Sequence, residues 1–173
     1  MSEAVYTVGH STRAIQELLE LLNESGVRLL VDVRRYPASR RYPHFTGAAL
    51  AASLAQAGIA YRHERDLGGH REPRPGSPNT ALRAAALRGY ADHMATAAFR
   101  AALARLEEDA GSRRTVILCA EADPHRCHRQ LVADALVARG TGVLHILGPA
   151  RVEAHALHPA ARPTQDEGIV YAP

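Results

Sequence analysis

Between Cys119 and Arg129 the chain reads CAEADPHRCHR. Two thiols, two carboxylates, two imidazoles and two guanidiniums crowd into that one stretch. Asp123-Pro124 reads as a helix start, with Asp as N-cap and Pro at the first helical position. That placement puts Cys127 and His128 in the first turns, where unpaired N–H groups and a positive partial charge favour a thiolate. Arg126 and Arg129 add to the effect. Cys127 is therefore a candidate nucleophile, and packing as a small half-buried residue is the alternative. Cys119 lies inside an apolar strand and reads first as a core residue. Glu121 follows that strand and is a candidate general acid or base; an ion pair with Arg34 or Arg129 is its other reading. Asp32, at the end of LLVDV, has the same two readings. Two carboxylates from different strands facing one cleft could activate water or stabilise a sugar cation, or simply hold arginines in place. With His128 these form the candidate catalytic set: Glu121, Asp32, His128 and Cys127.

A second group of residues suits anion binding. The loop RRYPASRRYPHF, residues 34–45, interleaves Arg34, Arg35, Arg40 and Arg41 with Tyr36, Tyr42, His44 and Phe45. Arginine grips phosphate bidentately and aromatics stack on bases, so this composition fits a phosphate-bearing ligand, DNA or RNA among the candidates. A loop packed down by its aromatics with solvated arginines is the plainer account. His10-Ser11 ends the first strand, and Gly68-Gly69 and an irregular, proline-rich segment follow the third. Several chemistries are disfavoured. Cys119-x6-Arg126 is one residue too long for a phosphatase loop, and rhodanese-like thiol transfer meets a similar difficulty. The C-x7-C-H spacing matches no common zinc motif, so no metal is expected. No G-x-S-x-G elbow, G-x-G-x-x-G or Walker pattern is present, so no cofactor is expected.

The elements that would position these groups alternate. AVYTVG (4–9), LLVDV (29–33), IAYRH (59–63), TVILCA (115–120) and VLHIL (143–147) read as strands. A helix over 13–25 shows an apolar stripe at Ile15, Leu18, Leu19 and Leu22, with Ser11 or Thr12 as its cap and Gly26 as its end. Another spans 46–57. Asn79 can cap a helix to about Arg88, Gly89 interrupts it, and a further helix runs from Tyr90 to Asp109 with Met94, Ala98, Ala102 and Leu106 inward. A helix from Asp123 carries Leu131, Val132, Ala135 and Leu136 on one face and stops near Gly140. Alternation of this kind predicts a single three-layer α/β domain over 1–148. Its mostly parallel five-stranded sheet, Rossmann-like or flavodoxin-like, has helices on both faces. Ligands of such sheets bind beyond the carboxyl ends of the strands. Residues 149–173 show no clear element and read as a C-terminal extension.

Composition sets the outer bounds. At 173 residues with 46% hydrophobic content the chain suits one folded domain. All 21 basic residues are arginine; with 18 acids the net charge is +3, too small to argue nucleic-acid binding by itself. Codon bias accounts for the arginine count, so position carries the information. Two cysteines do not make a disulfide scaffold. No apolar run approaches the roughly 18–20 residues of a membrane span, and MSEAVYTVGHS lacks the features of a secretory leader. A cytoplasmic protein with no membrane partner is the expectation.

Taken together the motifs resemble those of the bacterial family called "domain of unknown function 488". The residues concerned are Gly9-His10-Ser11, Asp32-Val33-Arg34 with Pro37 and Ser39, Leu67-Gly68-Gly69, Gly89-Tyr90-Ala91-Asp92-His93-Met94, and Cys119-Ala120-Glu121 with Cys127-His128-Arg129. The similarity covers about residues 5–147. It implies a small α/β protein whose characteristic polar positions are these, and implies no activity. With it, the candidate ligand contacts are His10, Ser11, Arg34, Arg35, Arg40, Arg41, Gly68, Gly69, Tyr90 and Arg129. The expected function is hydrolysis of a nucleotide or nucleic-acid component, N-glycosidic cleavage preferred, with a carboxylate acid/base and an arginine-lined phosphate site. The alternatives are a non-catalytic nucleotide or nucleic-acid binder, and a thiol- or metal-dependent enzyme using Cys127.

Overall fold

A computed structural model describes residues 3–173. Met1 and Ser2, the start of the stretch read for a leader, lie outside the described residues. The elements in chain order are β1 (Val5–Gly9), α1 (Ile15–Glu24), β2 (Leu29–Asp32), α2 (Gly47–Gln56), β3 (Ala60–His63), α3 (Ala85–His93), α4 (Ala97–Ser112), β4 (Thr115–Cys119), α5 (Arg129–Ala138), β5 (Val143–Gly148), β6 (Arg151–Ala154), β7 (Ala161–Pro163) and β8 (Ile169–Tyr171).

Five strands are parallel, as expected from the alternation, but the main sheet has six. Its order is β3-β2-β4-β1-β5-β6, with β6 antiparallel to β5. This order is neither the Rossmann 3-2-1-4-5-6 nor the flavodoxin 2-1-3-4-5. Alternate residues of the buried strands feed two cores. Leu30, Val116 and Leu118 pack with Leu18, Leu22, Leu50 and Leu54 of α1 and α2. Leu29, Val31 and Ile117 pack with Phe99, Leu103, Leu106, Leu131 and Leu136 of α4 and α5. Crossovers of one hand that move in opposite directions along the sheet place helices on opposite faces, giving three layers.

Several local expectations need correction. Ser11 and Thr12 do not cap α1. Its N-cap is Ala14, whose N–H donates to Glu17 Oε1 at 3.0 Å. Asn79 caps no helix; it is buried, donating to Asp92 Oδ1 at 2.8 Å and accepting from the Tyr171 N–H at 2.9 Å. Gly89 sits inside α3 instead of breaking it. A Cβ there would overlap the Arg71 carbonyl, so glycine serves close approach. The break falls after Met94, where Thr96 Oγ1 accepts from the Phe99 N–H and caps α4. Ala98 points outward; Phe99 holds the inward position. Asp123-Pro124 starts only a 3₁₀ turn, Pro124–Arg126, and α5 begins at Arg129. Cys127 is extended and His128 is the N-cap.

The tail is part of the fold. β6 extends the sheet edge, and the β7–β8 hairpin places Tyr171, fully buried, against α5. Its hydroxyl donates to Asp134 Oδ2 at 2.7 Å. Asp134 Oδ1 also pairs with His155 at 2.7 Å and accepts from the His158 N–H at 3.0 Å. Among the described residues no helix is long and apolar enough to cross a membrane.

Candidate functional site

The strand order puts β2, β4 and β1 side by side, so Asp32, Cys119 and Gly9 end on one edge; Gly9 is level with Cys119 and Asp32 with Leu118. Backbone pairing continues past the strands, His10 N to Cys119 O at 3.0 Å and Ser11 N to Ala120 O at 2.9 Å. The chain after β4 crosses so close over β1 that a Cβ at Gly9 would overlap the Glu121 carbonyl oxygen. Glycine at the end of β1 is thus a condition for Glu121 to reach this edge.

Above the edge opens a cavity of about 920 Å³. His10, Ser11, Glu121, Cys127 and His128 line it, as do Gly69 and all four loop arginines: Arg34, Arg35, Arg40 and Arg41. Arg126 makes a fifth guanidinium, and Glu121 is the single carboxylate among the lining residues. Such a balance favours an anion. Tyr36 and Tyr42 supply aromatic faces, with Arg35 stacked 5.5 Å from the Tyr36 ring centre. Of the loop arginines, Arg40 and Arg41 are exposed.

Not every candidate reaches the cavity. Asp32 lies beneath it, fully buried, and both its oxygens are engaged. Oδ1 accepts from Arg34 N and Nε at 3.1 and 2.9 Å; Oδ2 accepts from Arg34 Nη2 at 2.6 Å and the Tyr61 hydroxyl at 2.7 Å. The geometry is that of a carboxylate holding an arginine. Burial and this hydrogen bond push the Tyr61 hydroxyl up. Arg34 Nη1 then donates to Phe45 O at 2.7 Å and lies 3.5 Å from His10 Nε2. His10 stacks on Phe45 at 4.4 Å, and burial lowers its pKa. Tyr90 is fully buried and donates to Leu67 O at 2.7 Å, a packing role rather than a ligand contact. Gly68 is also behind the wall, where a Cβ would meet Arg35 Cα at 2.6 Å. Arg129 is wholly buried and outside the lining.

Glu121 makes no ion pair with Arg34 or Arg129; its carboxylate accepts from the Asp123 N–H at 3.2 Å and is otherwise exposed. His128 donates from Nε2 to Val33 O at 2.8 Å, which leaves Nδ1 the unprotonated nitrogen. Burial holds this imidazole down to about 4, so it is neutral at pH 7. Cys119 and Cys127 are free thiols with Sγ atoms 3.0 Å apart. The hydrogen bond from Cys127 holds the Cys119 thiol down to about 7 against its burial, and the thiolate so formed pushes Cys127 up. Among the described residues no three His, Cys, Asp or Glu side chains gather as a metal site.

Sequence reasoning missed His70 and the start of α3, where Ala84, Ala86 and Leu87 make an apolar wall. An alanine-rich helix carries no signal of a cavity, and His70, itself exposed, lines the cavity from a left-handed backbone (φ 58°) that histidine seldom advertises.

The family described as "Domain of unknown function DUF488" matches residues 14–136 of the chain. The matched span includes the arginine loop, the two glycines and both cysteines, and begins after Gly9-His10-Ser11. No curated protein and no solved structure matches.

Proposed function

The chain belongs to the DUF488 family, a description that assigns no activity, and on its site we propose hydrolysis of a nucleotide or nucleic-acid component, with N-glycosidic cleavage preferred. The observation that carries this reading is the cavity's charge: five guanidiniums around one carboxylate, at the carboxyl edge of the sheet. Arg40 and Arg41 hold phosphate, Tyr36 and Tyr42 offer faces for a base, and Glu121 activates water or stabilises the developing sugar cation. His128, kept neutral by its burial, offers Nδ1 as an acceptor. Asp32 acts through Arg34 as a positioning residue.

The experiment compares wild type with Glu121→Gln for base or sugar release from nucleosides, nucleotides and single- and double-stranded DNA. The expected outcome is release that falls about 10²–10⁴-fold in the variant while affinity is kept. Affinity itself should weaken with salt and on Arg40→Ala or Arg41→Ala, because phosphate contacts release counterions. A second reading, a non-catalytic nucleotide binder, is favoured by one observation: with Asp32 engaged by Arg34 and Tyr61, no second carboxylate faces Glu121. Salt-sensitive binding with no release from any substrate would decide for it.

A further inference from the structure

Arg129 has no carboxylate partner among the described residues, although it is wholly buried. Nη2 donates to the Glu121 and Ala122 carbonyls, both at 3.2 Å, while Nε and Nη1 are buried with no partner. A buried guanidinium without an anion is costly. The groups its charge acts on include both cysteines. The Arg129 N–H, first in α5, donates to Cys127 Sγ at 3.2 Å. The two sulfurs, 3.0 Å apart, are about 1 Å beyond a disulfide bond, and both open on the cavity. Cys127 is extended, at the end of a largely exposed segment, so the approach needs no helix to unwind.

We propose that Cys119 and Cys127 are a redox-active dithiol that exchanges with a small, anionic disulfide admitted by the arginine-lined cavity. Cys119, its own proton released to solvent, takes the proton of Cys127, the less buried residue of the pair, and the Cys127 thiolate attacks one sulfur of the incoming disulfide. That S–S bond breaks, and one thiolate leaves and takes up a proton. Cys119 then loses its proton and attacks Cys127 Sγ, expelling the second thiol, which takes that proton. The protein loses two electrons and two protons, and the small disulfide becomes two thiols. Arg129 stabilises the thiolates. The segment between the sulfurs carries Glu121 and Arg126, so bond closure draws on two cavity residues. This chemistry does not depend on the hydrolytic reading.

The test uses the full chain, reduced and then equilibrated with glutathione disulfide. Wild type should go from two free thiols to none, form no disulfide between chains, retain no glutathione and lose two hydrogens by intact mass. Titrated against glutathione redox buffers, the loss should follow a single two-electron transition. Cys119→Ser should trap one glutathione on Cys127, and Cys127→Ser should leave Cys119 unreacted. Arg129→Met should slow exchange at least about tenfold and raise the pH at which thiolate absorbance appears. A wild type that keeps both thiols, holds a stable glutathione adduct or links between chains overturns the proposal. That measurement decides even where a serine variant fails to fold.

Discussion

Replacing Asp32 by Asn separates a carboxylate that does chemistry from one that holds an arginine. The amide keeps the shape and one acceptor. It sets an NH₂ against donors, the Arg34 guanidinium and the Tyr61 hydroxyl, which now meet Asp32 at 2.6–3.1 Å. Arg34 keeps its charge while only 7% exposed. Breaking a buried ion pair from one side costs about 3–5 kcal/mol. In a chain of this size each kcal/mol moves the thermal midpoint by roughly 2–4 °C, so a fall of roughly 6–20 °C is expected. Tyr61→Phe removes one hydrogen bond to a charged acceptor at a half-buried site and should cost about 1.5 kcal/mol. Asp32→Asn combined with Arg34→Met removes the stranded charge and should restore part of the loss, the shortfall from additivity measuring the coupling. Circular dichroism melts and urea titrations at pH 7 on wild type, Asp32→Asn, Arg34→Met, Tyr61→Phe and the double variant give these values. An Asp32→Asn midpoint within about 2 °C of wild type would refute the anchoring argument and return Asp32 to the acid/base candidates.

Stability should rise with pH between about 4 and 6.5. Burial holds His128 down to about 4, and burial with the neighbouring His155 holds His145 down to about 3. The unfolded chain therefore binds more protons in that window, and the stability present above 6.5 is lost as pH falls, on the order of 3 kcal/mol for His128 alone. His128→Gln, which can still donate to Val33 O, should flatten the slope of urea midpoint against pH. Gly9→Ala should prevent a stable fold, since its Cβ overlaps the Glu121 carbonyl, whereas Gly111→Ala in α4, with open space around it, should stabilise by about 0.5–1 kcal/mol; expression and melting tell the two apart. Tyr171→Phe should cost about 1.5–3 kcal/mol by removing a hydrogen bond to the buried Asp134 carboxylate, and a chain ending at Gly148 should lose cooperative unfolding altogether.

The five parallel strands were legible because each is a short apolar run between breakers, and α1 because Leu18 and Leu22 repeat on one face. The edge that carries the candidate residues was legible too. Parallel strands share a carboxyl edge, so the residues beyond them were bound to that edge, and the order that sets β2, β4 and β1 side by side brings His10, Arg34, Glu121, Cys127 and His128 around one cavity. The tail was not legible, since β6 is fully exposed and β7 and β8 have three residues each, too few to show a period. Nor was the start of α5: an Asp-Pro signal is satisfied equally by a 3₁₀ turn, which is what forms over Pro124–Arg126. A residue's type states what it can bind but not what it will meet. Asp32 could equally have faced solvent, substrate or Arg34; Arg34, two residues on, takes both its oxygens, and β2 beside β3 brings the Tyr61 hydroxyl onto Oδ2. The same holds for the sulfur pair and for Arg129, whose relations depend on the loop after β4 folding back over the edge. Periodicity and turn chemistry are local and can be read along the chain; partner choice is made through space, between segments that only the closed sheet brings together.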